Sequence, residues 1–271
     1  MNPAIRTPAV AGRFYPCDSA ELRRDVLEYT SPDESTRIAA IGCIAPHAGY
    51  VYSGHVAGAV YSRMDIPLRV IVLCPNHTGM GRPLAIMTRT TWQTPLGDVA
   101  AEEELGAALV QRFPLLQEDS AAHRSEHAIE VQLPFLQMQR QDLSFVPIAV
   151  GVSDFDILRG LGEALADVIS AQPEKVLIIA SSDMNHYESD AVTRIKDHKA
   201  IARVLALDAR GLWEVVRRED ISMCGFGPSV AMLTAAKQLG AKEATLVKYA
   251  TSGDVSGDYA KVVGYAGIVV S

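Results

Sequence analysis

The residues in this 271-residue chain that could do chemistry fall in a handful of short motifs. His47 stands in APHAGY, His77 in CPNHTG, Asp183 and His186 in SSDMNH, and Cys224 in SMCGFGPS. Converging imidazoles with a carboxylate suit a borderline divalent metal such as iron, copper or zinc, for which neutral imidazole is the preferred nitrogen ligand. Asp183 and His186 are three apart, so a helix beginning there would turn both the same way; Asp183 would then bind a metal or orient an imidazole. A further motif, HRSEHAIE, carries His123, Glu126, His127 and Glu130. On a helix His123 and His127 share one face, and Glu126 and Glu130 another. It is not the metalloprotease pattern HExxH, because Arg124 rather than Glu follows His123. A surface helix is the expected place for His123, while Glu126 and His127 are candidate acid/base groups. Cys224 lies in a glycine-rich loop just before a predicted helix, where the helix N-terminus lowers a thiol pKa. It reads as a thiolate ligand or a nucleophile, the plain alternative being a small buried residue in a tight turn.

These motifs need elements to position them. IGCIAP closes an apolar run over 38–45, RVIVLCP (69–75) is β-branched and stopped by Pro75, and KVLIIAS (175–181) is a third buried run. Each has the continuous apolar character of a strand covered on both faces. His47, His77 and the pair Asp183 and His186 follow these strands directly, and open parallel sheets place their sites beyond the carboxyl ends of their strands. Helices are predicted at 53–63 with Ser53 as N-cap, at 101–113, at 124–139 with an interruption at Pro134, at 154–170, and at about 190–206, 208–218 and 226–239. Further strands are expected at 84–88, 144–150, 243–250 and 261–270, with TPLGD (94–98) as a turn and TSGDVSGDYAKVVGYAG as a loop leading into the last strand. Strands alternating with helices of this length imply a layered α/β sandwich with a mainly parallel or mixed sheet, read as one domain over residues 1–271.

Composition narrows the function. The apolar fraction is 48% and the charged fraction 21%, and 25 basic against 32 acidic residues give a net charge of −7. With basic residues no more than paired, as in Arg23-Arg24 and Arg217-Arg218, no phosphate-binding face is expected and nucleic acid is excluded as a partner. Apolar runs fall short of the roughly 20 residues that span a membrane, and no signal-peptide order is read at the start. Cys17, Cys43, Cys74 and Cys224 show no CxxC spacing, so they read as reduced thiols of a cytoplasmic protein, the first three buried as small hydrophobes. There is no phosphate loop, dinucleotide fingerprint or GxSxG elbow.

PAVAGRFYP, APHAGYVYSG, PNHTG, EHAIEVQLPF, SSDMNH, MCGFGP and YATSGD, in this order from about residue 8 to the C-terminus, resemble the Memo family, called AmmeMemoRadiSam system protein B in bacteria and archaea. The resemblance implies a fold similar to the class III extradiol ring-cleaving dioxygenases, which use non-haem Fe(II). It implies metal ligands at His47, His77 and Cys224, with Asp183 and His186 lining the same pocket, and iron or copper as the metal. It also implies companions, an AMMECR-type protein and a radical SAM enzyme, beside an unnamed small-molecule or peptide ligand. Animal members carry Arg-His where this chain has Phe226-Gly227, so a basic pair is missing beside the thiol and the peptide role described for animal members is in question.

Three functions stay open at this level. One is a metal-dependent oxidoreductase of the extradiol type, with His127 or His186 as acid/base toward a phenolic substrate. Another is a metal- or redox-binding partner protein without turnover. The third is a Cys-dependent hydrolase or transferase with Cys224 as nucleophile.

Overall fold

The computed structural model describes residues 4–30 and 37–271, so the parts of the expected 1–271 domain at 1–3 and 31–36 lie outside the described residues. The buried apolar runs form the centre of the sheet. Strands Ser144–Val150, Arg69–Pro75, Val176–Ser181 and Gly42–Ala45 lie side by side in that order, all parallel, and only Arg69 and Ser144 at their starts are part-exposed. Burial on both faces is why they show no alternation. Helix Tyr50–Ser62 connects Gly42–Ala45 to Arg69–Pro75, and helix Phe155–Ser170 connects Ser144–Val150 to Val176–Ser181.

On one side the sheet continues antiparallel through Val262–Val270, which also pairs with Ala244–Thr251 and His186–Glu188. On the other side it continues through Gly97–Ala101, Thr90–Thr94 and the edge strand Ala4–Arg6. The result is the anticipated layered α/β fold around one mixed sheet, with twelve strands among the described residues. Helices Phe155–Ser170 and Phe226–Gln238 cover one face through Leu158, Leu161, Leu165, Val230 and Leu233. Tyr50–Ser62, Ser19–Tyr29 and Leu133–Gln139 cover the other through Tyr61, Leu22, Val26 and Phe135. No helix among the described residues is long and apolar enough to cross a membrane.

Several local expectations are corrected. The first strand begins at Gly42, and the next helix begins at Tyr50, not Ser53; the Ser53 hydroxyl donates to Ala48 O at 3.0 Å inside the helix. The stretch 124–139 is not one helix but Ala121–Arg124, a 3-10 turn Glu130–Gln132 and helix Leu133–Gln139. Pro134 stands in the first turn of that last helix, where its missing N–H costs nothing, so it helps start a helix where an interruption was expected. TPLGD is the turn of a hairpin between Thr90–Thr94 and Gly97–Ala101. Before residue 38, strand Ala4–Arg6 and helix Ser19–Tyr29 were not anticipated, although Asp18 caps that helix by accepting from Ala20 N and Glu21 N at 3.0 and 2.9 Å. Cys43 and Cys74 are buried as expected, but Cys17 is exposed.

One buried carboxyl braces the loop after Val176–Ser181. Asp197, fully buried on helix Asp190–Leu205, accepts Asn185 N–H at 2.8 Å and lies 2.7 Å from the Tyr249 hydroxyl. A Cβ at Gly264 would fall 1.8 Å from its Oδ2, so only glycine lets the last strand pass so close. Burial raises Asp197 to about 7. The folded chain therefore keeps a proton that the unfolded chain releases above about pH 4, and this carboxyl's contribution to stability falls as pH rises from there through 7. Between pH 4 and 8 the wild type should lose roughly 2–4 kcal/mol relative to Asp197→Asn, read as urea midpoints. Parallel pH profiles for the two proteins would refute it.

Candidate metal centre

Arg69–Pro75, Val176–Ser181 and Gly42–Ala45 are neighbours in the sheet and end at one edge. His77, Asp183 and His47 each stand two residues past the end of one of these strands, so the topology alone brings them together. The His47 and His77 rings meet edge to face at 5.1 Å, and His127 stacks on His77 at 4.8 Å. Cys224 Sγ lies 3.2 Å from His47 Nε2. One ligand atom each from His47, His77 and Cys224 falls within 4.8 Å of the others, and the same holds for His77, Glu126 and His127. His47, His77 and Cys224 face a cleft of about 590 Å³ whose walls include Phe14, His127, Asp183, His186 and Tyr187.

His47 and His77 each turn Nδ1 to a protein oxygen. His47 Nδ1 is 2.9 Å from Ser181 Oγ. His77 is gripped by Glu126, whose Oε2 accepts the His77 backbone N–H at 2.7 Å while Oε1 sits 2.9 Å from its Nδ1 and accepts Ala128 N–H at 3.0 Å. Burial alone would raise Glu126, but His77 and the Ala128 N–H hold it below the usual carboxylate range. Burial would lower His77, yet the Glu126 hydrogen bond and charge carry it above the ordinary imidazole value. His47 is pushed well down by burial and by the neighbouring His127 and His77, so it is neutral. Burial also lowers His127, against the pull of Glu126.

Cys224 departs from expectation. It does precede helix Phe226–Gln238, and its sulfur accepts Asp183 N–H at 3.3 Å. Burial and the Asp183 carboxylate nevertheless outweigh these contacts and raise the thiol well above its usual value. Without a metal it is therefore S–H. Gly225 lets its loop close in, since a Cβ there would lie 2.4 Å from Ser181 O.

Asp183 and His186 do not share a helical turn. Residues 182–185 are irregular and lead into strand His186–Glu188, and the helix starts only at Asp190. Asp183 Oδ1 accepts His47 N–H at 2.7 Å, so it orients the backbone of that loop rather than an imidazole ring. His186 stands at the rim, its Nδ1 2.9 Å from Ser222 O. Asn185, fully buried, accepts Ser222 N–H at 3.1 Å and so ties the SSDMNH loop to the segment carrying Cys224.

The HRSEHAIE motif also folds differently from a helix. His123 is wholly buried, 5.9 Å edge-on to Trp92, not on a surface helix. Glu126 and Glu130 diverge: Glu126 turns to His77 and Glu130 to the N-terminal segment. Glu130 pairs with Arg6 and accepts Ala9 N–H, Val10 N–H and the Tyr15 hydroxyl at 2.8, 3.0 and 2.7 Å. Arg6 donates to Glu126 O at 2.7 Å and to His123 O at 3.2 Å, and packs 4.3 Å over Trp92. This anchor places Phe14 4.8 Å from His127 at the cleft. Sequence reasoning names Glu130 within HRSEHAIE but gives it no partner, and it misses Arg6, Ser181 and Phe14 altogether; the paired acids of EHAIE in an otherwise apolar stretch were the available signal.

A profile of the Memo-like protein family matches residues 6–269. MEMO1 family protein MK0963 of Methanopyrus kandleri is 45% identical over 280 residues, covering 97% of this chain and 98% of its own. The MEMO1 family protein of Methanosarcina mazei is 42% identical over 267 residues, covering 98% and 99%. Among solved structures, an uncharacterized protein of Escherichia coli K12, JW3007, superposes with a TM-score of 0.55 at 13% identity over 84% of this chain and 98% of its own, a likeness of fold alone.

The Arg6–Glu130 pair makes a sharp test of how the N-terminal segment is held. Removing one partner of a buried ion pair typically costs about 3–5 kcal/mol, because the other charge stays behind. Arg6→Met should cost about that much in denaturant unfolding, and Arg6→Met with Glu130→Met clearly less than the sum of the single changes. Strict additivity would show that the two do not act as a pair.

Proposed function

The chain belongs to the Memo family, and from that premise we propose that His47, His77 and Cys224 hold one transition-metal ion, iron or copper, for redox chemistry of the extradiol dioxygenase kind. The observation that carries this reading is the set of two imidazoles and one sulfur within 4.8 Å of one another at an open cleft. Three protein ligands with an open side are what a catalytic rather than a structural metal site needs. The donor types suit the group as well: imidazole and thiolate are ligands of iron and copper, and Ser181 and Glu126 leave Nε2 of each ring free. A bound ion would supply Lewis acidity and one-electron redox chemistry at the open side.

The chain's own residues would do the rest. His127, stacked on His77 and kept neutral by burial, is placed to take a proton from a phenolic hydroxyl entering the cleft. His186 at the rim offers a second proton carrier, its Nδ1 committed to Ser222 O. Asp183 holds the His47 loop, and Glu126, with both oxygens engaged, supports His77 rather than moving protons itself. Phe14 and Tyr187 add aromatic surface to the cleft walls against which a ring could pack.

The high thiol pKa disfavours Cys224 as a nucleophile, since the thiolate is the reactive form. The same thiol favours one second reading, a metal- or redox-binding partner without turnover, because a sulfur beside activated oxygen is open to oxidation. In that case the pocket would serve an AMMECR-type protein and a radical SAM enzyme. Oxygen uptake by the iron-loaded protein with a panel of diphenols separates the two, and no uptake with any of them leaves the partner reading.

Protein purified without added metal should carry iron or copper near one ion per chain by elemental analysis, and His77→Ala and Cys224→Ala should lose it. Equal, negligible metal in all three would sink both readings. Because the Cys224 thiol and His77 both sit above their ordinary values, metal entry must displace protons. Affinity for Zn²⁺ should rise with pH around neutrality, by about tenfold per pH unit for each proton displaced. A flat profile would contradict the assigned ligands.

A further inference from the structure

Behind His47 lies a chain of buried hydrogen bonds whose directions can be read from which atoms are able only to donate or only to accept. Ser181 Oγ has three neighbours: Ala128 O at 2.7 Å, Gln132 Nε2 at 2.8 Å and His47 Nδ1 at 2.9 Å. A backbone carbonyl only accepts, so the hydroxyl proton goes to Ala128 O. The Gln132 amide is oriented by a second carbonyl: the atom facing Ser181 is also 2.9 Å from Pro46 O, which an amide oxygen would repel, so it is the NH₂ group. Its other end, Oε1, accepts the Tyr61 hydroxyl at 2.9 Å. Gln132 thus gives one N–H to Pro46 O and one to Ser181. Tyr61, Gln132 and Ser181 are all fully buried, so water cannot substitute for any of these partners.

With its proton given to Ala128 and one lone pair taken by Gln132, Ser181 can offer His47 only its remaining lone pair. We propose that Ser181, oriented by Gln132 and Tyr61, is a positioning residue that fixes His47 in the tautomer with the proton on Nδ1, leaving the Nε2 lone pair aimed at Cys224 and the shared centre. Unlike the carboxylate support of His77, which it meets at Ala128, the relay needs no charge: it selects between two neutral forms of the His47 ring. The Cys224 S–H then donates to Nε2 across the 3.2 Å gap, the direction this tautomer requires. The metal ligation of His47 rests on the function proposed above, but the tautomer is a property of the metal-free chain and is tested there.

The experiment is a long-range ¹H–¹⁵N correlation of the ring nitrogens in chelator-treated, ¹⁵N-labelled full chain, with His47 assigned against His47→Gln. The wild type should show His47 protonated at Nδ1 and bare at Nε2. Ser181→Ala should populate the opposite tautomer and weaken Zn²⁺ binding by roughly 10–100-fold, while Ser181→Thr, which keeps a hydroxyl, restores both. A wild-type His47 protonated at Nε2 overturns the proposal whatever the variants do, including a Ser181→Ala that fails to fold. An unchanged tautomer and unchanged zinc affinity in folded Ser181→Ala overturns it too. The expected tautomers in wild type and variants with no zinc uptake would support the relay while refuting the metal reading, so the two failures are distinguishable.

Discussion

The site depends on three parallel strands lying side by side. Arg69–Pro75, Val176–Ser181 and Gly42–Ala45 share a direction, so their carboxyl ends open at one edge, and whatever follows them is brought within a few ångströms. His77, Asp183 and His47 need no further device to meet; their loops have only to be kept from relaxing. That task falls to hydrogen bonds crossing between loops: Asp183 to the His47 amide, Glu126 to the His77 amide, and Asn185 to Ser222. Each is buried or half-buried, where a polar group left unpaired costs more than a made bond contributes, so breaking one is dearer than its own strength suggests.

Ala128 shows how closely the supports of the two imidazoles are joined. Its N–H donates to the carboxylate that holds His77, and its carbonyl accepts the hydroxyl that faces His47. One peptide segment therefore sets both rings, which explains why the middle of HRSEHAIE, residues 125–129, is not helical: regular helix would commit those backbone groups to each other. Behind it Glu130 draws Arg6 and the amides of Ala9 and Val10 inward, so the N-terminal segment is held beside the cleft, with Phe14 in its wall, by a charge pair well removed in sequence from His47, His77 and Cys224.

That distance along the chain marks what the sequence could and could not reveal. The strands after which His47, His77 and Asp183 stand were legible because a strand buried on both faces is apolar throughout, a local pattern. Helices 155–170 and 226–238 were legible from the alternation of strand-like and helix-like stretches. Arg6 was not, because its role is set by Glu130, 124 positions away, and no window of sequence holds both. His123 read as superficial for a related reason: its neighbours Arg124 and Ser125 are polar, and only tertiary packing against Trp92 reveals a buried ring. The direction of the Cys224 shift failed likewise, since proximity to a helix start is visible in sequence and burial beside Asp183 is not.

The raised thiol bears on how the centre is built. A thiolate here would stand partly desolvated beside the Asp183 carboxylate, the two effects that keep the sulfur protonated. A neutral S–H donating to a neutral imidazole satisfies both groups, and it holds sulfur and nitrogen 3.2 Å apart in the metal-free chain. Were the proposed ion to bind, atoms already this close would need little rearrangement, so folding would have met most of the ordering cost of its capture.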